Sequence, residues 1–424
     1  MGARLASYTF VRQTGLVAAL AVVACAAGFA ADAADAPRKA EVMHWWTSGG
    51  EAAAVKVFAD QFGKAGGEWV DSAIAGGEAA RAAAINRIVG GNPPTASQFN
   101  TGRQFDDLVG QDLLNTLDTE AEAGHWRSFL PPAFVEAASR NGHMYAVPVN
   151  VHGQNWMFYS KAVFAKAGIK DLPTTWDGFF AAMDKIKAAG LVPVAQGGQP
   201  WQEHILFATI LQTVSPETYM KVFAERDAGA VKSPEFRKAV DVLGRIRDYV
   251  DPGSPNRNWN DATAMLITGK AGVQFMGDWA KGEFKAAGQV PDRDFGCVLG
   301  LDDTKLIIGG DVFVMPKSKD PEAQKSQDLL ARTMLQPDTQ VMFSQQKGSM
   351  PVRTDIDTSS LDACAKKGMG LLKDVKAQLP VPDMLLTADA MGGVQDVVTD
   401  FFNNRAVTAD QMVERYAAAI KGAS

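Results

Sequence analysis

The sequence predicts an α/β fold with mainly parallel sheets, and three observations support this prediction. Strand-like and helix-like segments alternate along the chain from about residue 41 onward. The 424 residues are enough for two or three domains with sizeable cores. No low-complexity linker or internal repeat interrupts the sequence, so we expect two lobes joined by strands and not by a flexible tether.

The first predicted elements form a β-α-β unit, with strands at 42–47 and 68–74 around a helix at 51–64. A second helix is predicted to begin after Thr174, which can cap it with Asp177 three residues on, and to end at Gly190. A strand at 191–195 comes next.

Two extended segments are candidates for crossings between the lobes. Residues 145–152 precede an aromatic run at 155–159, and residues 311–315 form another β-rich segment. We expect the first segment to leave the N-terminal lobe and the second to return to it. These crossings predict two discontinuous lobes after a signal segment at residues 1–36. The N-terminal lobe consists of residues 37–151 and 308–346. The C-terminal lobe consists of residues 152–307 and 347–424.

The composition is that of a soluble globular protein. Hydrophobic residues make up 46% of the chain and charged residues 21%, which excludes wholesale disorder and a polytopic membrane protein. The net charge is -6. A negative protein repels phosphate groups, so we expect no nucleic-acid partner.

The N-terminal segment predicts export. An apolar run at 15–30 follows two arginines and is too short to span a membrane. Ala-x-Ala sequences end at Ala33 and Ala36, so we interpret residues 1–36 as a secretory signal peptide and expect a periplasmic protein. Cys25 also fits the lipid-attachment site of a lipoprotein, but the apolar run continues past it, and we favour an ordinary signal peptide.

Two further cysteines, Cys297 and Cys364, remain after cleavage. An oxidising compartment permits a disulfide between them, but their separation does not demonstrate one. Two buried free thiols are an equally good interpretation.

Most catalytic motifs are missing. The five histidines form no metal-binding set, and there is no Walker loop and no Gly-x-Ser-x-Gly sequence. Ser344-Gln-Gln-Lys347 lacks the partner motifs of penicillin-recognising enzymes. We therefore expect no metal and no cofactor. A pair of opposed carboxylates cannot be excluded from sequence, so a secreted carbohydrate-active hydrolase is the alternative to a binding protein.

Tryptophans next to polar residues mark the ends of predicted strands. Trp45 and Trp46 end the first strand, and Glu51 begins the next helix. Ligands bind at the carboxyl ends of strands in open α/β sheets, where an indole can stack on a sugar ring and a carboxylate can accept from its hydroxyls. The alternative is two core tryptophans, with Glu51 placed favourably in the first helical turn.

A second strand end carries Gly277-Asp278-Trp279. Asp278 can cap the following helix and Trp279 can pack in the core; we assign Asp278 mainly to capping and Trp279 mainly to the ligand. Trp201 lies in another polar loop. Asp311 follows two glycines and Lys347 lies in a polar segment, and each alone reads as a turn or surface residue. The recurrence of glycine, aromatic and carboxylate at several strand ends favours a sugar site.

Eight motifs occur in order along the chain after the signal segment. They are Trp45-Trp46 with Glu51, Pro93-Pro94 leading to Gln98, Val149-Asn-Val-His152 before Asn155-Trp156, Thr175-Trp-Asp-x-Phe179, Gly197-Gly-Gln-Pro-Trp201, Gly277-Asp-Trp279, Gly310-Asp311 and Lys347-Gly-Ser-x-Pro351. This series resembles the solute-binding proteins of ABC sugar importers, especially the glucose/mannose-type branch of the family that includes maltose-binding protein.

The resemblance implies a type II periplasmic binding protein fold, with two lobes on a multi-strand hinge that close around a sugar without altering it. It also implies ABC-transporter permease subunits of the inner membrane as partners, and we expect a monomer. The residues that fall where this branch contacts the sugar are Trp45, Trp46, Glu51, Gln98, His152, Trp279, Asp311 and Lys347.

Two positions depart from the glucose-type pattern. Asn100 lies where those members often carry a lysine, and Asp389 lies where they carry a histidine. We include both, together with Trp201 and Asp278, as candidate ligand residues, which makes twelve in all. An amide both donates and accepts hydrogen bonds, and an ionised carboxylate only accepts them. These two residues would therefore bind a different arrangement of sugar hydroxyls than a lysine and a histidine. We therefore expect a neutral hexose or a short oligosaccharide, with glucose not necessarily the best ligand.

Overall fold

The computed structural model describes residues 38–302 and 304–422. The predicted signal peptide and Cys25 lie outside these residues. The chain within these ranges forms one compact unit. No helix in the described ranges is long and apolar enough to cross a membrane.

The described residues form 14 strands and 19 α-helices, with three single-turn 3-10 helices at Ala230–Lys232, Ser254–Asn256 and Val375–Ala377. The strands are β1 (Arg38–His44), β2 (Gly67–Ala73), β3 (Ala96–Asn100), β4 (Ser139–Arg140), β5 (His143–Met144), β6 (Ala146–Pro148), β7 (His152–Gly153), β8 (Trp156–Ser160), β9 (Val192–Val194), β10 (Ala271–Met276), β11 (Phe295–Leu299), β12 (Leu306–Gly309), β13 (Asp311–Val314) and β14 (Gln378–Pro380). The helices are α1 (Gly49–Lys64), α2 (Gly77–Val89), α3 (Asp106–Gly110), α4 (Asp118–Ala123), α5 (Trp126–Phe129), α6 (Pro132–Ala138), α7 (Lys161–Lys166), α8 (Trp176–Ala188), α9 (Pro200–Val214), α10 (Pro216–Phe223), α11 (Pro234–Ile246), α12 (Trp259–Ile267), α13 (Ala280–Ala286), α14 (Pro321–Met334), α15 (Pro337–Lys347), α16 (Ala363–Leu371), α17 (Pro382–Leu385), α18 (Ala388–Asn403) and α19 (Ala409–Lys421).

Two larger sheets organise the chain. The first has the strand order β2-β1-β3-β13-β6, and the second has the order β11-β8-β10-β9. A three-stranded sheet, β14-β12-β7, and the hairpin of β4 and β5 complete the arrangement. The chain passes from β6 through β7 to β8, and it returns through β12 to β13. The lobe boundaries given above remain a prediction.

The expectation of mainly parallel sheets is wrong, because the sheets are mixed. Strand β1 is parallel to β2 and β3, whereas β13 is antiparallel to β3 and β6. Strand β10 is parallel to β9 but antiparallel to β8. The parallel neighbours are those connected through helices, as parallel pairing requires. Strands β8 and β13 enter their sheets directly from the crossing segments, so the crossover rule does not apply to them.

Each large sheet packs against helices through aromatic side chains. Beside the first sheet, Phe58 of α1 and Phe343 of α15 stack with ring centroids 4.1 Å apart. Beside the second sheet, Phe179 of α8 lies 5.6 Å from Phe275 of β10. All four side chains are buried. This close packing holds each large sheet, and with it the ends of its strands, rigidly in place.

Local details differ from prediction at two helix starts. Helix α8 is capped by Thr175, whose Oγ1 accepts from the Gly178 amide at 3.2 Å, and not by Thr174. The apolar face of α8 already begins at Trp176, which places the cap directly before it. Helix α1 begins at Gly49, two residues earlier than predicted, with Glu51 accepting from the Ser48 amide at 3.4 Å.

The two described cysteines form a disulfide. Cys297 of β11 is bonded to Cys364 of α16, with Cα atoms 6.3 Å apart. The sequence left this pairing open. The bond ties a helix of the C-terminal region to the second sheet.

Candidate functional site

A cavity of about 590 Å³ lies at the ends of strands from both large sheets. It is lined by the segment that follows β1, by the residue at the start of β13 and by the segment that follows β10. Small-molecule sites are concave and of this size, and in α/β proteins they lie at strand ends. The cavity is therefore the candidate site.

Nine of the twelve residues predicted from sequence line the cavity. They are Trp45, Trp46, Glu51, Asn100, His152, Trp201, Trp279, Asp311 and Lys347. Gln98 and Asp278 lie behind this lining and contact residues that belong to it. Asp389 is exposed in the first turn of α18 and does not line the cavity, whereas Ala388, Met391, Gly392 and Gln395 of the same helix do.

Two half-buried indoles form an aromatic wall. The rings of Trp201 and Trp279 lie 6.0 Å apart, and His152 meets Trp279 edge-on at 4.8 Å. The Trp279 ring lies directly over Gly277, where a Cβ atom would overlap it. Gly277 is therefore required for the position of the indole. The wall offers flat apolar surface on which a sugar ring can stack.

The adjacent residues Trp45 and Trp46 both line the cavity, but burial divides them, because Trp46 is a core residue and Trp45 is not fully buried. Trp46 is only 1% exposed and packs against Phe313 at 5.7 Å and Phe343 at 5.3 Å. Trp45 is half-buried, with Arg81 5.8 Å above its ring. Neighbouring residues of an extended segment point in opposite directions, which explains the division.

A buried ion pair lies next to this wall. The Nζ of Lys347 donates to Glu51 Oε1 at 3.0 Å, and both residues are more than 90% buried. The same ammonium lies 5.6 Å from the Trp46 ring and 5.9 Å from the Trp279 ring. Removing either partner would leave an unpaired buried charge, so the pair is firmly held.

His152 bridges two buried carboxylates. Its Nδ1 lies 2.6 Å from Asp278 and its Nε2 lies 2.9 Å from Asp311. Both ring nitrogens face carboxylate oxygens, so both donate and the ring is an imidazolium. Burial alone would lower the pKa of His152, but the charges and hydrogen bonds of Asp278 and Asp311 outweigh it and raise that pKa.

The Asp311 carboxylate is held by further donors. Gln98 Nε2 donates to it at 3.0 Å and Asn150 Nδ2 at 2.8 Å. Burial would raise the pKa of Asp311, but the charge of His152, with its hydrogen bond, and the charge of Lys347 lower it overall. Gln98 also accepts from the Trp45 amide at 3.1 Å, so it positions two residues of the lining. Asn150, which sequence reasoning missed, lies two residues before His152 in the crossing segment.

Asp278 does not have the capping role assigned to it from sequence. Its oxygens accept from His152 and from the Gly153 amide at 2.9 Å, and α13 begins after Trp279 instead. The buried imidazolium nearby competes successfully for this carboxylate because a charged donor makes the stronger hydrogen bond. Asp278 thus connects the end of β10 to the crossing strand β7.

The cavity lining also contains polar residues that sequence reasoning missed. They are Arg81 of α2, Gln104, and Asp383 of α17. The charged side chain of Arg81 stands out in the sequence of the alanine-rich helix α2 and could have been considered as a ligand residue. Nothing in the sequence, however, links Arg81 to α17. Only folding brings these residues together.

The chain matches the family model of the bacterial extracellular solute-binding proteins over residues 46–336. A "probable sugar-binding periplasmic protein" of Brucella suis biovar 1 (strain 1330) is 38% identical over 413 residues, which cover 95% of this chain and 97% of that protein. The chain belongs to this family.

Solved structures share the fold of this solute-binding protein. The bacterial solute receptor AcbH, with a preference for β-D-galactopyranose, superposes with a TM-score of 0.77 at 17% identity, covering 91% of this chain and 98% of that one. A chitin oligosaccharide binding protein gives 0.75 at 18% identity, with the same coverage. The solute-binding protein therefore has their two-lobed α/β fold, as predicted.

The family is one of solute-binding proteins and not of enzymes, and the hydrolase alternative has no support. No group of three or more His, Cys, Asp or Glu side chains in the described residues could hold a metal ion. The cavity of this solute-binding protein combines stacking surfaces with fixed donors and acceptors. Such a set is suited to binding a ligand and leaves it chemically unchanged.

Proposed function

We propose that this protein binds a neutral sugar, a hexose or a short oligosaccharide, in the cavity and delivers it to an ABC importer. The observation that carries the proposal is the aromatic wall of Trp201 and Trp279 beside the buried groups of Glu51, Lys347 and Asp311. Sugar rings have apolar faces and polar edges. The wall accepts a face, and the buried groups satisfy the hydroxyls.

The relatives support the ligand class. The Brucella suis relative is described as probably sugar-binding and periplasmic. The two structural neighbours bind a galactopyranose and a chitin oligosaccharide, so this fold accommodates one ring or several. The predicted signal peptide would bring the protein to the periplasm, where permease subunits of the inner membrane would receive the sugar.

We also propose that the lobes close around the ligand by a hinge at the crossing strands. The cavity draws Trp45 from the end of β1 and Trp279 from the end of β10, so one ligand touches residues held by both large sheets. Ligand contacts made only in the closed form shift the population towards it. Small-angle scattering should therefore give a smaller radius of gyration when the sugar is bound. An identical profile with a confirmed ligand would count against closure.

A thermal-shift screen tests the function directly. The purified protein is heated with glucose, galactose, mannose, xylose and their disaccharides. A ligand at 100 times its dissociation constant adds about 2.7 kcal/mol of stability. Each hit is then measured by calorimetry, and the sugar is recovered and chromatographed. Saturable binding of unaltered sugar is the expected result; a hydrolysis product, or no binding by any neutral sugar, would refute the proposal.

A further inference from the structure

A second group of polar side chains in the cavity lining, which we call the Arg81 end, contains neither Trp201 nor Trp279. Arg81 lies 5.8 Å from the ring centroid of Trp45, which is itself half-buried. Gln104 Nε2 lies 3.4 Å from Asp383 Oδ1. All four side chains line the cavity. They present an indole, a cation, an amide and a carboxylate to the same space.

The two charged groups at this end, Arg81 and Asp383, have few hydrogen-bond partners, whereas the Gln104 amide already accepts from the Asn100 amide at 3.1 Å and donates to Asp383. Across residues 38–302 and 304–422 the Arg81 guanidinium has no hydrogen-bond partner, although it carries five N–H donors. Asp383 receives one long side-chain hydrogen bond, from Gln104. Burial lowers the pKa of Arg81 and raises the pKa of Asp383, as expected for charges that their neighbours do not fully compensate. A ligand that donates and accepts here would satisfy both.

Two glycines allow these groups to meet. A Cβ atom on Gly77 would come within 3.3 Å of Arg81 and 3.6 Å of the Trp45 ring. Gly102 has a positive φ of 127°, and a Cβ atom there would overlap the carbonyl of Asp383. The loop after β3 therefore touches α17 directly. This end of the cavity joins residues that follow both the first sheet and strand β14.

The charges at this end favour a neutral ligand. Arg81 interacts with the carboxylates of Glu78 and Asp383. One cation and two carboxyl groups leave no surplus of positive charge for an acidic sugar. A pair of neighbouring hydroxyls fits better, since one can accept from Arg81 and the other can donate to Asp383.

The cavity is also larger than a single sugar ring requires. Its volume of about 590 Å³ lies in the middle of the range for drug-sized ligands. A hexose has about 12 heavy atoms, far fewer than a drug-sized ligand. One ring against Trp201 and Trp279 would therefore leave part of the cavity unfilled.

We propose that Trp45, Arg81, Gln104 and Asp383 form a distal subsite that holds a second neutral sugar ring. The inference rests on the proposed function and narrows its ligand to a disaccharide or a longer chain. The first ring stacks on the wall of Trp201 and Trp279. The second lies beside Trp45, with its hydroxyls bonded to the other three side chains.

The test compares each hexose with its disaccharides by calorimetry on the wild type, on Arg81→Met and on Arg87→Met. Arg87 lies on the same helix but pairs with Glu41 away from the cavity, so its variant is the matched control. We expect the best disaccharide to bind at least tenfold tighter than its hexose. Arg81→Met should weaken the disaccharide at least tenfold and the hexose less than twofold, and Arg87→Met should change neither by more than twofold.

Two results would overturn the subsite while leaving the proposed function intact. One is hexose binding with no disaccharide binding more tightly. The other is an equal effect of Arg81→Met on both ligands. If no sugar binds, the function and the subsite both fail. If Arg81→Met does not fold by circular dichroism, Asp383→Asn and Gln104→Ala carry the same comparison, with the same expected selectivity for the disaccharide.

Discussion

Removing the Trp279 indole should weaken sugar binding about 10- to 50-fold. A tryptophan can bury 150–250 Å² in total, and a ring stacked on one face of the indole would cover roughly 60–80 Å² of it. At about 25–30 cal/mol per Å², this contact contributes about 1.5–2.4 kcal/mol, and each 1.4 kcal/mol is a factor of ten in affinity.

The fold should survive the Trp279→Ala substitution. The side chain is half-buried and contacts Trp201 and His152 at the cavity wall, outside the stacked aromatic core. We expect a native circular dichroism spectrum and a modest fall in melting temperature. The dissociation constant of the best sugar, measured by calorimetry, gives the result.

Two further variants make the result specific. Trp69→Ala removes a half-buried indole on β2, away from the cavity, and should leave the dissociation constant unchanged. Trp279→Phe keeps an aromatic face and should recover part of the lost affinity. An unchanged dissociation constant in folded Trp279→Ala would assign Trp279 to packing and refute the stacking argument.

Four other substitutions test the remaining parts of the structure. Gly277→Ala should displace the Trp279 ring that covers it and weaken sugar binding as much as Trp279→Ala does, by calorimetry; unchanged affinity would show that the indole position is not critical. Burial raises the pKa of Glu203 to about 7, so the folded protein keeps a proton that the unfolded chain loses, and its stability falls as the pH rises from about 4.5 to 7. Glu203→Gln should therefore raise the free energy of unfolding at pH 8 by up to about 3 kcal/mol and change it less at pH 5, measured by urea denaturation; an equal effect at both pH values would contradict the assignment. Cys364→Ser opens a disulfide across a sequence separation of 67 residues and should cost about 4 kcal/mol of stability by the chain-entropy model, seen as a lower urea midpoint that reducing agent lowers no further. Asp389→His changes an exposed side chain outside the cavity lining and should leave the ranking of sugars unchanged in calorimetry, whereas a reordered ranking would place position 389 in the site.

Much of the site could be predicted because its residues lie next to local signals. Trp45 and Trp279 follow strands, and Asp311 begins one, so their neighbours already show where they lie. Strand ends meet at the edge of a sheet, where ligands bind in α/β proteins. Residues at these ends can therefore be assigned to one cavity from the sequence, before the packing is known. This explains how nine of the twelve predicted residues come to line it.

The residues that were assigned wrongly or not found depend on contacts with distant parts of the chain. Asp278 looks like a helix cap in sequence, but a buried imidazolium from another strand binds its carboxylate. Asp389 follows a plausible alignment, but the first turn of α18 exposes it. Arg81 and Asp383 carry no motif at all. In each case the decisive neighbour is distant along the chain.

The sequence by itself determined the alternation of helices and strands, the predicted export signal and the order of motifs that marks the family. These depend on side chains within a few residues of one another, where propensity and hydrophobic period operate. Tertiary structure alone decided that the sheets are mixed, that Cys297 pairs with Cys364, and that Trp46 is buried in the core while Trp45 stays half-buried, although both line the cavity. Those outcomes depend on which distant surfaces pack together, and packing is settled by the shape and burial of the whole chain.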